Sequence, residues 1–200
     1  MNFELAELTT EFAAALQAAD ARGPVAQNAR SKNYFKPGIG PQSESLALSL
    51  ILRELVSRHP VKYQAHSTSV AYPGTKQKCD VCFGAAPNWD WAIEVKLLRL
   101  SGDNDKPNDH MLMHILSPYP EHRSALTDLD KLLGWADPKR KAILIYGFEH
   151  QRWPLEPAVS AFEVLARSRS YLGGRYQCVF SGLIHPVHSR GAVVAWEVLS

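Results

Sequence analysis

Residues 79–100 carry the pattern that most constrains this chain, CDVCFGAAPNWDWAIEVKLLRL. They predict two apolar strands joined by a turn at residues 84–88, where glycine, proline and asparagine cluster. Side chains on a strand alternate between two faces. In the second strand, Ala92, Glu94 and Lys96 therefore share one face, and Ile93, Val95 and Leu97 share the other. Two charged groups on one face of an otherwise apolar strand are costly to bury unless they are paired or bind something. Asp80, at the opening of the first strand, adds a second carboxylate. Two carboxylates are hard oxygen ligands, and with an ammonium beside them they can form a small divalent-metal site.

The flanking sequence predicts the elements around this pair. Residues 2–21 have helical apolar spacing and end at Gly23-Pro24, which predicts a packing helix. Residues 22–42 predict a loop. It interleaves Arg30, Lys32 and Lys36 with Tyr34 and Phe35, which suits either a phosphate backbone or an ordinary solvated connector. Residues 42–58 predict a helix capped by Ser43, with Leu46, Leu48, Leu50, Ile51, Leu52 and Leu55 on a broad apolar surface and Glu44 in its first turn. Residues 61–72 predict a strand, and residues 101–120 a long polar loop. Residues 121–135 predict a helix capped by Ser124, in which Arg123 and Lys131 are either phosphate contacts or solvated charges. Residues 142–148 are continuously apolar and predict a buried central strand. A helix over 156–169 and a hairpin of strands at 175–185 and 191–199 complete the chain, with His185, His188 and Arg190 at the hairpin's tip or base.

Asp80 followed by Glu94-Val95-Lys96 resembles the motif of the PD-(D/E)xK nuclease superfamily, with Cys79 where the family name has proline. The order helix, strand, strand, strand, helix, strand over about 42–148 is also similar to the core of the restriction-endonuclease-like fold. The resemblance implies a single α/β domain with an αβββαβ core and a central mixed sheet flanked by helices. The core would be preceded by an N-terminal helix and loop (1–41) and followed by a helix and hairpin (149–200). It implies a metal-dependent endonuclease acting on nucleic acid, most simply DNA. Mg2+, replaceable by Mn2+, would be held by Asp80, Glu94, the Val95 carbonyl and Glu44. Lys96 would orient the attacking water and, beside bound metal, have a lowered pKa. Glu44 stands where many members carry a glutamate on the first core helix; Glu54 is the weaker alternative. Cutting both strands of a duplex takes two sites, so a homodimer fits the same implication.

Two readings of other classes compete. One is a catalytically silent nucleic-acid-binding or assembly module of the same fold. The other is an unrelated α/β domain whose Asp80, Glu94 and Lys96 form a surface ion pair. The net charge of +2 neither advertises nor excludes a nucleic-acid partner. No uncharged apolar run is long enough for a membrane span. Three cysteines and an N-terminus unlike a signal peptide suggest a reducing cytoplasm. Cys79 and Cys82 form a C-x-x-C with no matching second pair, so small apolar strand residues are expected rather than zinc ligands. His110 and His114 lie four apart but lack the H-E-x-x-H context, and are expected as surface or core histidines.

Overall fold

The structure is a computed structural model and describes residues 3–28, 31–108 and 110–199. Arg30, part of the basic loop noted above, lies outside the described residues. The elements in chain order are α1 (Leu5–Ala21), α2 (Glu44–Arg58), α3 (Pro60–Tyr63), β1 (His66–Ala71), β2 (Lys78–Gly84) and β3 (Trp89–Arg99). They continue with α4 (His110–Leu116), a 3-10 turn (Pro120–His122), α5 (Ala125–Leu133), β4 (Arg140–Phe148), α6 (Glu156–Arg167), β5 (Tyr171–Leu172), β6 (Tyr176–Ser181) and β7 (Arg190–Leu199).

Among the described residues, one open sheet of seven strands runs β1-β2-β3-β4-β7, with β5 and β6 both paired to β7. Every pairing is antiparallel except β3 with β4, which is parallel. A parallel neighbour requires a crossover, and α4 and α5 supply it. The chain is thus mixed α/β. α1, α2 and α3 cover one face of the sheet, packing on Ile93, Val95, Leu97, Leu144 and Val193. α4, α5 and α6 cover the other, packing on Ala92, Leu98, Ile143, Ile145 and Trp196.

β3, with 11 residues, is the longest strand and is buried along most of its length. It pairs with β4 from Trp91 to Arg99 but with β2 only as far as Ile93. Beyond Ile93, β2 pairs with β1 alone, through Cys79 and Lys78. The two strands of the opening motif therefore part company at Val81 and Ile93, which frees main-chain groups on one edge of β3.

Three local expectations change. Residues 60–63 form helix rather than strand: Pro60 occupies the first helical position, where its fixed φ suits the helix. Tyr63 then packs against Phe3 and Phe83. The expected loop at 101–120 contains α4, and a 3-10 turn begins at its last residue, Pro120. In α2, Ala47 joins Leu48, Ile51, Leu52 and Leu55 on the buried face, whereas Leu46 is turned outward. Ser43 does cap α2, its hydroxyl accepting the Leu46 N–H at 3.4 Å.

Candidate metal and phosphate site

The parting of β2 and β3 leaves the Val95 and Leu97 N–H groups of β3 without a strand partner on that side. Two carboxylates take their place. Asp80 Oδ2 accepts the Val95 N–H at 2.8 Å, and Glu44 Oε2 accepts the Leu97 N–H at 2.6 Å. Asp80 comes from β2. Glu44 comes from the first turn of α2, in the helix layer on the opposite face from α5. A strand residue's N–H and C=O leave on the same side, so the Val95 carbonyl also faces the gap.

Glu94 and Lys96 project from β3 toward α5. Both are buried, Glu94 at 1% and Lys96 at 8% exposure. α5 answers them with a carboxylate and an ammonium that the sequence reading did not single out as a pair. Asp128, fully buried, lies 2.6 Å from the Lys96 Nζ and 2.5 Å from the Lys131 Nζ. Lys131 also lies 3.0 Å from Glu94, and Lys96 lies 3.9 Å from Glu44. The Tyr72 hydroxyl donates to Glu94 Oε1 at 2.5 Å.

Glu44, Asp80, Glu94, Lys96, Asp128 and Lys131 line one open cleft of about 630 Å³. Its floor holds four carboxylates (Glu44, Asp80, Glu94, Asp128) and two ammonium groups (Lys96, Lys131), an excess of acids. The electrostatics follow from that crowding. Burial first, then Asp128 and Asp80, hold the Glu94 carboxyl well above the ordinary range. Burial also raises Glu44, against the pull of Lys96 and the Leu97 N–H. Burial alone would lower Lys96, but Asp128, Glu44 and Asp80 outweigh it and hold the ammonium above the usual lysine value. Lys96 is therefore cationic in this setting. Its rim carries exposed Lys76, Lys78 and Arg123. His114 lines the cleft too, and burial followed by Lys96 keeps its imidazole below the usual value.

The other sequence candidates lie apart from this cleft. Glu54 is bound by the Arg22 guanidinium at 2.5 and 3.2 Å. Asp90, which follows Trp89 at the entry to β3, pairs with Lys139 at 2.7 Å and is no part of the site. Cys79 and Cys82 are buried free thiols, and Cys79 Sγ points to the Ile93 carbonyl at 3.5 Å. Lys32, Tyr34 and Lys36 are exposed. Among the described residues, no helix is long and apolar enough to cross a membrane. Also among the described residues, the one trio of His, Cys, Asp or Glu whose ligand atoms lie within 4.8 Å of one another is Asp103, His185 and His188, outside the cleft.

No protein-family model, curated protein or solved structure matches this chain.

Proposed function

We propose that this chain is a divalent-metal-dependent nuclease of the PD-(D/E)xK superfamily that hydrolyses phosphodiester bonds in DNA. The observation that carries the reading is the meeting of Asp80, Glu94, Lys96 and Glu44, from α2, β2 and β3, in one open cleft where β2 and β3 part. With the short α3 and α4 as additions, the order α2, β1, β2, β3, α5, β4 with β3 and β4 parallel supports the same reading, because it is the order expected of a restriction-endonuclease-like core.

The residues suit a hard dication. Carboxylates and a main-chain carbonyl are the donors magnesium takes, with water and phosphate oxygens completing its shell. The floor has more carboxylates than ammonium groups, and burial, followed by Asp128 and Asp80, pushes Glu94 toward its neutral form. Both features are relieved by a 2+ charge. Asp80, Glu94 and the Val95 carbonyl would hold the ion, with Glu44 completing the site. Bound there, Mg2+ or Mn2+ would supply Lewis-acid contact to the phosphate and a water of lowered pKa.

The protein's own groups do the rest. Lys96, kept cationic by three carboxylates, orients the attacking water and stabilises negative charge developing at phosphorus. It acts as a donor here rather than as a base. Tyr72 fixes the Glu94 rotamer through its hydroxyl. Lys76, Lys78 and Arg123 on the rim give exposed cations for flanking phosphates.

One observation favours the silent module of the same fold: Lys96 and Lys131 already satisfy the inner carboxylates. The two readings separate in one assay. The protein is incubated with supercoiled plasmid and single-stranded DNA in Mg2+, Mn2+ or EDTA, beside Lys96→Ala. Metal-dependent cutting lost in the variant is expected. Metal-independent binding without cutting would establish the silent module instead.

A further inference from the structure

Asp103 lies in the loop after β3, and His185 and His188 lie in the loop between β6 and β7. The His188 Nε2 is 3.0 Å from Asp103 Oδ1, and the His185 Nε2 is 3.9 Å from the same oxygen. The three ligand atoms all fall within 4.8 Å of one another. Both imidazoles are buried at 1% exposure and stack with centroids 4.8 Å apart and planes 19° from parallel.

The backbone is shaped around these rings. A Cβ at Gly40 would stand 2.5 Å from the His188 Cβ and 2.7 Å from its ring. A Cβ at Gly38, whose φ is +133°, would stand 3.0 Å from the His185 Cβ. A side chain at Gly40 would collide with His188, and one at Gly38 would crowd both Asp20 and His185.

We propose that Asp103, His185 and His188 bind a transition-metal dication of the zinc class. Two imidazoles and one carboxylate are borderline donors that suit zinc or cobalt, whereas magnesium prefers an all-oxygen shell. Zinc with bonds near 2.0 Å places its tetrahedral ligands about 3.3 Å apart. The two contacts to Asp103, at 3.0 and 3.9 Å, already bracket that edge. Water takes the fourth position, on the side where the Asp103 side chain is 24% exposed. Nδ1 of His185 accepts the Val187 and His188 N–H groups, both at 3.3 Å. Coordination through Nε2 moves the proton to Nδ1 and turns those N–H groups away. Bonds of this length are weak enough to yield.

The metal ties the exit of β3 to the hairpin loop, and through His188 to Gly40. The Gly40 carbonyl accepts from Arg99 Nη1 of β3, and Ser43 and Glu44 follow three and four residues later. This centre therefore braces the strand bearing Glu94 and Lys96 against the segment that delivers Glu44. It is separate from the dication proposed for the cleft, and neither requires the other.

The test is a titration of the chelator-stripped full chain with Co2+, followed by visible absorption, with Zn2+ and Mg2+ as competitors. One equivalent of Co2+ should give the strong band of a four-coordinate site, displaced by Zn2+ and not by Mg2+. His188→Gln should abolish the band. Because His188→Gln perturbs a buried position, Asp103→Asn, at a part-exposed position, is the second variant and should weaken binding by at least about 10-fold. Asp80→Asn should leave the band unchanged. Absence of the band, an Asp103→Asn protein that binds as tightly as the parent, or loss of the band in Asp80→Asn would each overturn the assignment.

Discussion

Lys96 and Asp128 lie 2.6 Å apart although one belongs to β3 and the other to α5, so this ion pair, beside that of Lys131 with Glu94, joins the sheet to the helix layer at the floor of the cleft. Asp128 is fully buried and also holds Lys131 at 2.5 Å. Truncating it leaves two largely buried ammonium groups without their shared counter-charge. Breaking a buried pair from one side costs about 3–5 kcal/mol. Asp128→Ala should lose that much stability in urea denaturation. Asp128→Asn should lose less, because it keeps the volume and one acceptor. An unchanged midpoint in Asp128→Ala would mean that the pair contributes nothing to the fold.

Lys96→Ala should separate chemistry from folding. Asp128 keeps Lys131 when Lys96 is removed, and Glu44, the other carboxylate beside Lys96, is part-exposed, so no buried carboxylate loses its last cation. Stability should fall by no more than about 2 kcal/mol. Plasmid cutting in Mg2+ should fall by at least about 100-fold, the usual consequence of losing a donor aimed at developing charge. Asp80→Ala should behave alike, since Asp80 serves the Val95 N–H and the proposed ion rather than the apolar core. Circular dichroism melts beside the cutting assay check both. Normal cutting by either variant would remove the motif from the mechanism.

The raised Glu94 carboxyl makes a signed prediction about pH. Its native form holds a proton more tightly than the unfolded chain, whose glutamates titrate near about 4.3. Between that value and the native one, the native state binds more protons, so this group's contribution to stability falls as pH rises. Glu94→Gln removes the titration. In EDTA, the stability of Glu94→Gln relative to the parent should therefore increase as pH rises above the ordinary carboxylate range. Added Mg2+ or Mn2+ should reverse the trend in the parent alone, because the ion favours the ionised carboxylate. Urea midpoints in mildly acidic and mildly alkaline buffer check this. A constant difference across the range would mean that Glu94 titrates as an ordinary surface acid.

Much of the site's setting was legible because it rests on local periodicity. Strand alternation put Glu94 and Lys96 on one face, and the cap at Ser43 placed Glu44 at a helix start. The parting of β2 and β3 was not legible, since register beyond Ile93 depends on what packs around it. Asp128 was missed, yet a signal existed. It lies three residues after Ala125 and four before Leu132, both fully buried, which puts an acid on the apolar stripe of α5. An acid at a core position needs a partner. α4 has seven residues, too few for its period to speak. The strand expected from residue 61 failed at Pro60, where a helix start and the burial of Tyr63 overrode a loose alternation. Asp103 meets His185 and His188 only through the fold, and no spacing could announce it.

Ser124 offers a test of how the cleft depends on its frame. It is fully buried at the start of α5, where its hydroxyl accepts the Thr127 N–H at 3.2 Å and donates to the Ser117 carbonyl. Ser124→Ala removes the cap, worth about 1 kcal/mol, and leaves the Ser117 carbonyl without that donor, worth about 1–3 kcal/mol when buried. The helix persists, because Leu126, Leu129 and Leu132 still pack, but its first turn loosens. Asp128 lies in that first turn, so the loosening moves the partner of Lys96 without substituting either residue. A misplacement of this kind lowers catalysis well beyond the loss of folded protein. At 25 °C, with Ser124→Ala still folded by circular dichroism, cutting should fall by about 10-fold. Ser124→Thr keeps the hydroxyl and should recover most of it. Full activity in the folded alanine variant would show that β3 alone, without an anchored α5, sets the position of Lys96.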